Sequence, residues 1–259
     1  VPVLNSLAQA RRWVEHGGTQ DHPVAVHIDT GMSRLGFSAS EVEGLAGDAD
    51  LLAQLHIGLV MTHLACADEP DNALNAAQLA RFDALRALLP DIKTSVGNSA
   101  GILSGNSGDL ARAGVALYGG NPFIGRPNPM QTVARLFSPI LQIREIDAPA
   151  TVGYGATHRV EPPARLATVG AGYADGYPRS LGNAGSAYLG GVEVPVVGRV
   201  SMDMLTIDVS GVATDVAVPG AMVELMGDHV SIDELASVAG TISYELLTGL
   251  GRRWTRRYD

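Results

Sequence analysis

The sequence has 259 residues, of which 46% are apolar and 17% charged, too apolar for a disordered chain and long enough for one large or two modest domains. A net charge of −9 argues against a nucleic-acid or membrane-surface partner, and no apolar run approaches the ~18 residues of a membrane span. A single cysteine, Cys66, excludes an internal disulfide and fits a reducing, cytoplasmic compartment.

The chain opens Val1-Pro2-Val3-Leu4-Asn5, without the basic region of a signal peptide and without an initiator Met. Residue 1 therefore reads as something other than a natural translation start. Strands are predicted at Val1–Asn5, Val24–Asp29, Ile57–Thr62, Thr94–Val96 and Val115–Tyr118. Between them lie the amphipathic stretches Ser6–His16, Ser40–Leu55 and Asn72–Leu89, the last with apolar residues close to a 3.6-residue spacing. Strands alternating with helices predict parallel βαβ units. The segment Asn121–Met130 holds three prolines and reads as a linker. Beyond it come short β-rich runs, Leu141–Ile146, Ala164–Val169, Ala187–Leu189, Val194–Val200, Met204–Val209 and Ala221–Leu225, followed by a helical stretch over Ser231–Arg253. The texture predicts an α/β domain over residues 1–131 and a mostly β domain over 132–259. A closed (β/α)8 barrel needs eight strands and ~250 residues, so about five strands imply an open sheet or a barrel that lacks its beginning.

Several segments carry polar residues where chemistry is expected. His27-Ile28-Asp29-Thr30-Gly31-Met32-Ser33-Arg34 follows a strand, and Arg34 there suits either a carboxylate fork or a surface turn. His63 ends the next strand, as a proton-network member or a buried, bonded histidine. A metal at His63, Cys66 and Asp68 lacks paired ligand spacing elsewhere. The turn Gly97-Asn98-Ser99-Ala100-Gly101 offers amides and a hydroxyl to a phosphate, although small-residue turns are common. Arg112 is predicted inside an apolar strand and needs a partner. Tyr173 lies in Gly172-Tyr173-Ala174-Asp175-Gly176-Tyr177; a tyrosine ordinarily ionises near pH 10 and needs a nearby cation to act as a base. Tyr244, on the final helix, suits either an anion contact or the core. The run Arg252-Arg253-Trp254-Thr255-Arg256-Arg257 reads as a solvated tail. Of the 18 basic residues only Lys93 is a lysine.

No single motif decides the function, but their order is specific. The blocks DTGMSRLGF, THLACADE, GNSAGIL, RAGVALYG, VGYGATHR, GYADGYPR, VGRVSMDM and TISYELLTGLGRRW resemble those of the alanine racemases, fold-type III enzymes that use pyridoxal 5'-phosphate (PLP). The resemblance implies a (β/α)8 TIM-type barrel, here partial with about its last five strands, followed by a mostly β C-terminal domain. It implies a cytoplasmic homodimer that interconverts L- and D-alanine for peptidoglycan precursors.

By the same resemblance, Tyr173 is an acid/base working in the partner subunit's site, and His63 links an arginine to it. Asn98, Ser99, Gly114, Val115 and Tyr244 hold the cofactor's phosphate, and Arg112 faces its ring nitrogen. Arg34 and the main chain of Met202 bind the substrate carboxylate. His63 and Arg112 are the cations expected near Tyr173.

Two departures stand out. Many family members hold, at the position of His27, a lysine that becomes carbamylated and orients the substrate arginine. The family's PLP lysine lies in a motif resembling KANAYGHG, which this sequence lacks, and Lys93 does not match it. The resemblance begins around the fourth barrel strand. The sequence-level expectation is therefore an N-terminally truncated, inactive racemase that is poorly soluble or dependent on another chain. Alternatives are a lysine-less PLP-binding or interaction module, and a serine or broad-spectrum racemase.

Overall fold

In the computed structural model, which describes residues 1–17 and 21–258, polar side chains start the helices where the sequence places them. Ser6 accepts the Gln9 amide and caps α1, Leu7–Glu15; Asn72 accepts the Leu74 amide and caps α4, Ala73–Arg86. Ser38 and Glu41 close a capping box on α2, Ala39–Gly47. The single helix predicted over Ser40–Leu55 is two, because Asp48 ends α2 and caps α3, Ala49–Gln54, by accepting the Leu51 amide. Residues 18–20 and Asp259, which fall in the two predicted domains, lie outside the described residues.

The chain divides into two units, Val1–Ala116 with Pro122–Asn128, and Leu117–Asn121 with Pro129–Asp259. The first unit carries a four-stranded parallel sheet in sequential order: β1 Val3–Leu4, β2 Val24–His27, β3 Ile57–Met61 and β4 Thr94–Ser95. The sheet and helices α1 to α4 bury Val24, Val26, Ile28, Phe37, Leu45, Val60 and Phe82. A short helix α5, Ser99–Leu103, follows β4.

The predicted fifth strand is absent. Val115–Tyr118 is a 3-10 turn, so four parallel strands are present among the described residues where about five were expected. The reason is local: the amides of Gly114 and Ala116 donate to Ser99 Oγ rather than to a neighbouring strand. Arg112, predicted inside that strand, lies in the loop before the turn, its amide bonded to the Gly97 carbonyl.

The second unit is built on a six-stranded antiparallel sheet in the order β10-β9-β12-β5-β8-β11. The strands are β5 Leu136–Ile146, β8 Ala164–Val169, β9 Ser186–Leu189, β10 Val192–Pro195, β11 Leu205–Asp208 and β12 Met222–Met226. Val196, just past β10, bridges to Ile207 on β11, so the two ends of the sheet meet. A two-stranded ribbon, β6 Ala150–Val152 with β7 His158–Val160, escaped the sequence reading. The predicted strand over Val194–Val200 stops at Pro195, which has no amide to donate, and Gly198 then turns the chain at φ +74°. The predicted Ser231–Arg253 helix is two, α6 Ile232–Ala239 and α7 Ser243–Gly249, parted at Gly240 in the left-handed region. No helix among the described residues is long and apolar enough to cross a membrane.

Candidate active site

In the first unit the polar residues gather at the C-terminal ends of the parallel strands. Asp29 follows β2, and its Oδ1 accepts the amides of Gly31, Met32 and Ser33 at 2.9, 2.9 and 3.1 Å. Burial pushes this carboxyl up, but the three amides outweigh it and hold it below the usual carboxylate range. The nest shapes the loop that presents Arg34, which is exposed and makes no hydrogen bond among the described residues. Phe37 returns the loop to the sheet, donating its amide to the His27 carbonyl at 2.7 Å.

His27 and His63 end β2 and follow β3. Burial lowers the pKa of both, and the positive charges of Arg112 and Arg34 lower them further. Both histidines thus share one electrostatic neighbourhood with the two arginines. Arg112 donates to Ser95 Oγ at 2.5 Å and to the carbonyls of Thr62 and Val96 at 2.7 and 3.2 Å. These bonds fix the guanidinium at the ends of β3 and β4. No carboxylate pairs with it among the described residues, so the half-buried charge is held by main-chain and hydroxyl oxygens.

Asn98 and Ser99 start α5. Asn98 Oδ1 accepts the Gly101 amide at 2.9 Å. The Ser99 hydroxyl oxygen accepts from Gly114 at 2.9 Å and Ala116 at 3.3 Å, which leaves its own proton free to donate. The amides of Ser99, Ala100 and Val115 form no hydrogen bond among the described residues, although each residue is 2% exposed. Three unbonded amides and one free hydroxyl proton fit a phosphate. The single Lys93 is exposed and precedes β4, at the opposite end of the strand from this cradle. No cluster of three or more His, Cys, Asp or Glu among the described residues is placed to hold a metal.

In the second unit Tyr173 opens a 3-10 turn, Tyr173–Asp175. Its amide donates to the Ser201 carbonyl at 3.1 Å, and that of Ala174 to the Met202 carbonyl at 2.9 Å. Gly172 permits the approach, since a Cβ there would lie 2.3 Å from the Met202 oxygen. The Tyr173 side chain is exposed, and the Met202 amide makes no hydrogen bond among the described residues. The segment Gly198–Met204 is a loop, so the strands predicted over Val194–Val200 and Met204–Val209 do not reach into it. Tyr244 lies in the first turn of α7, half-exposed.

Residues 1–122 match the family described as alanine racemase, N-terminal domain, and residues 133–258 match alanine racemase, C-terminal domain. The chain belongs to the alanine racemase family. It is 52% identical to an alanine racemase of Rhodospirillum rubrum over 100% of this chain and 70% of that protein. It is 46% identical to a catabolic alanine racemase of Agrobacterium fabrum, over 99% and 67%. The alanine racemase structure from Bartonella henselae, which carries covalently bound pyridoxal phosphate, superposes with a TM-score of 0.91 at 36% identity, covering 100% of this chain and 73% of that one. The biosynthetic alanine racemase of Pseudomonas aeruginosa gives 0.89 at 35%, over 99% and 72%.

The sequence reading missed three residues that shape this candidate site. Gln78, fully buried on α4, donates to Thr30 Oγ1 and the His63 carbonyl and accepts the Ala65 amide, tying the loops after β2 and β3 together. Asn5 bonds His27, and Asp29 builds its nest. Only Asp29 had a readable signal, an Asp followed by small turn residues.

Proposed function

We propose that the protein interconverts L- and D-alanine with PLP as its cofactor, supplying D-alanine for peptidoglycan precursors in the cytoplasm. The observation that carries this reading is the cradle of Ser99, Ala100 and Val115, set beside a guanidinium fixed by three oxygens. The Ser99 hydroxyl, the Val115 amide and the Asn98-capped turn hold the phosphate, with Gly114 keeping Ser99 in place. Tyr244 adds a phenol to that anion. Arg112 presents a cation to the pyridine nitrogen and so disfavours its protonation. When bound, PLP acts as the electron sink that makes the substrate's Cα proton removable.

This chain's own residues do the rest. Arg34 and the Met202 amide bind and orient the substrate carboxylate. Tyr173 holds or removes a proton at its phenolic oxygen on one face of Cα, and His63 links Arg112 to that phenol. Racemisation needs a second acid/base on the other face. Lys93 is not assigned that role, because it is exposed at the far end of β4. Residues 1–131 read as part of a (β/α)8 barrel and 132–259 as the β domain, and the working form is a homodimer in which Tyr173 serves the partner's site.

The test is D-alanine formation from L-alanine by the PLP-loaded protein. Tyr173→Phe is expected to cut kcat at least ~100-fold, as loss of an acid/base does. A Tyr173→Phe protein with the full rate would sink the assignment.

A further inference from the structure

The arginine run at the end of the chain reads as a solvated tail, but three of its residues are engaged, Arg256 by a long bond of 3.4 Å to the Leu250 carbonyl and the other two closely. Arg253 donates a hydrogen bond to Asp203 Oδ1 through a terminal nitrogen at 2.6 Å and forms an ion pair with Asp175 Oδ1, its Nε 3.0 Å away. Trp254 donates its indole N–H to the Asp175 carbonyl at 2.6 Å. Asp175 is 4% exposed, and its second carboxylate oxygen accepts the Gly172 amide at 3.0 Å. Asp175 is thus gripped at its side chain and its main chain by consecutive residues.

The two carboxylates sit in different segments. Asp175 closes the turn that Tyr173 opens, and Asp203 follows Met202. The segments already share main-chain bonds, Tyr173 to Ser201 and Ala174 to Met202. Close packing leaves the turn little room: a Cβ at Gly176 would lie 2.2 Å from the Gly249 oxygen.

We propose that Arg253, backed by Trp254, is a positioning strap that holds the Tyr173 turn against the Met202 loop. The proposal rests on the roles given above to Tyr173 and Met202. A planar guanidinium reaches two carboxylates at once, bonding Asp203 and pairing in charge with Asp175, which the compact charge of an ammonium does less well. The Arg253 side chain is 57% exposed, and exposed ion pairs add little to global stability. The strap is therefore expected to act on local geometry and not on the fold as a whole.

Hydrogen exchange read by mass spectrometry on the PLP-loaded protein tests this, with Arg253→Gln, Arg253→Lys and Arg257→Gln. Arg253→Gln should speed exchange of the Tyr173 and Ala174 amides about tenfold, with a melting shift under about 2 °C. Arg253→Lys should give a rise of roughly threefold, because it can meet one carboxylate only. Arg257→Gln should behave as the parent. Over the same series kcat/KM for alanine should fall about tenfold in Arg253→Gln and recover in part in Arg253→Lys.

Unchanged exchange over residues 172–176 in Arg253→Gln overturns the strap. So does a rise spread evenly over β5 to β12 with a lower melting point. Full activity in Tyr173→Phe would remove the Tyr173 assignment and leave the exchange result to decide the strap by itself. Unchanged kcat/KM in Arg253→Gln, where Tyr173→Phe is inactive, overturns its bearing on the reaction.

Discussion

His27 donates its Nδ1–H to the side-chain oxygen of Asn5 across 3.0 Å. The direction follows from the Asn5 amide nitrogen, which donates to the Val3 carbonyl at 3.1 Å and so turns the oxygen toward the ring. A neutral His27 then carries its free lone pair on Nε2, an acceptor in the neighbourhood of Arg34 and Arg112. Where many alanine racemases hold a lysine that becomes carbamylated, this chain holds a ring whose pKa burial lowers. Asn5→Ala should release the tautomer, read as a mixed Nδ1–H and Nε2–H population in the nitrogen NMR spectrum. A spectrum unchanged from the parent would refute the lock.

Stability of the first unit should depend on pH in the histidine range. Burial, and then Arg112, lower the pKa of both His27 and His63 in the folded protein. A group whose folded pKa lies below its unfolded value takes up protons first in the unfolded chain. The stabilisation is therefore whole above the unfolded value of about 6.5 and shrinks as pH falls through it toward the folded pKa values. Urea midpoints followed by Trp13 fluorescence should drop between about pH 7 and pH 5. A His63→Gln, His27→Asn double variant should flatten that slope; an equal slope would show that other groups cause it.

Ser99→Ala should weaken both the fold and the cradle. The Gly114 and Ala116 amides lose their acceptor in buried surroundings, at a cost of about 1–3 kcal/mol. Urea unfolding gives the first effect and PLP titration by absorbance the second. A variant of parental stability that binds PLP as before would count against the cradle.

Arg112→Lys should not restore the parent. The guanidinium reaches Ser95, Thr62 and Val96 together, and an ammonium cannot span all three. A loss of about 1.5–3 kcal/mol is expected, the scale of bonds to a charged donor. Parental stability in the lysine variant would mean that the charge matters and the fork does not.

Gly172→Ala should disable the protein without unfolding it. A Cβ would meet the carbonyl oxygens of Met202 at 2.3 Å and Ser201 at 2.4 Å, so the Tyr173 turn must lift away. A shift near 1 Å at an acid/base costs on the order of 100-fold in rate. D-alanine formation close to the parental rate would mean that the loops yield cheaply.

Much of the architecture was legible in the sequence, where the periodicities of strand and helix are local. The helix caps Ser6, Asn72 and Ser231 are local signals too, and each lies within a residue or two of a predicted start. The fifth strand was misread because Val115–Tyr118 is apolar, while the acceptor that captures the adjoining amides belongs to Ser99. The helix break at Asp48 is a local signal that the apolar pattern around it outweighed.

By itself the sequence determined that the chain has an α/β part and a β part, and the order of its blocks determined the family. Periodicity and block order are properties of neighbours along the chain, so they survive without a structure. Only the tertiary structure decided which nitrogen of His27 carries the proton, what holds Arg112, and that a tail of arginines ends on Asp175 and Asp203. Those are single bonds between residues far apart in sequence. Such bonds leave no repeat, composition or spacing from which they could be read.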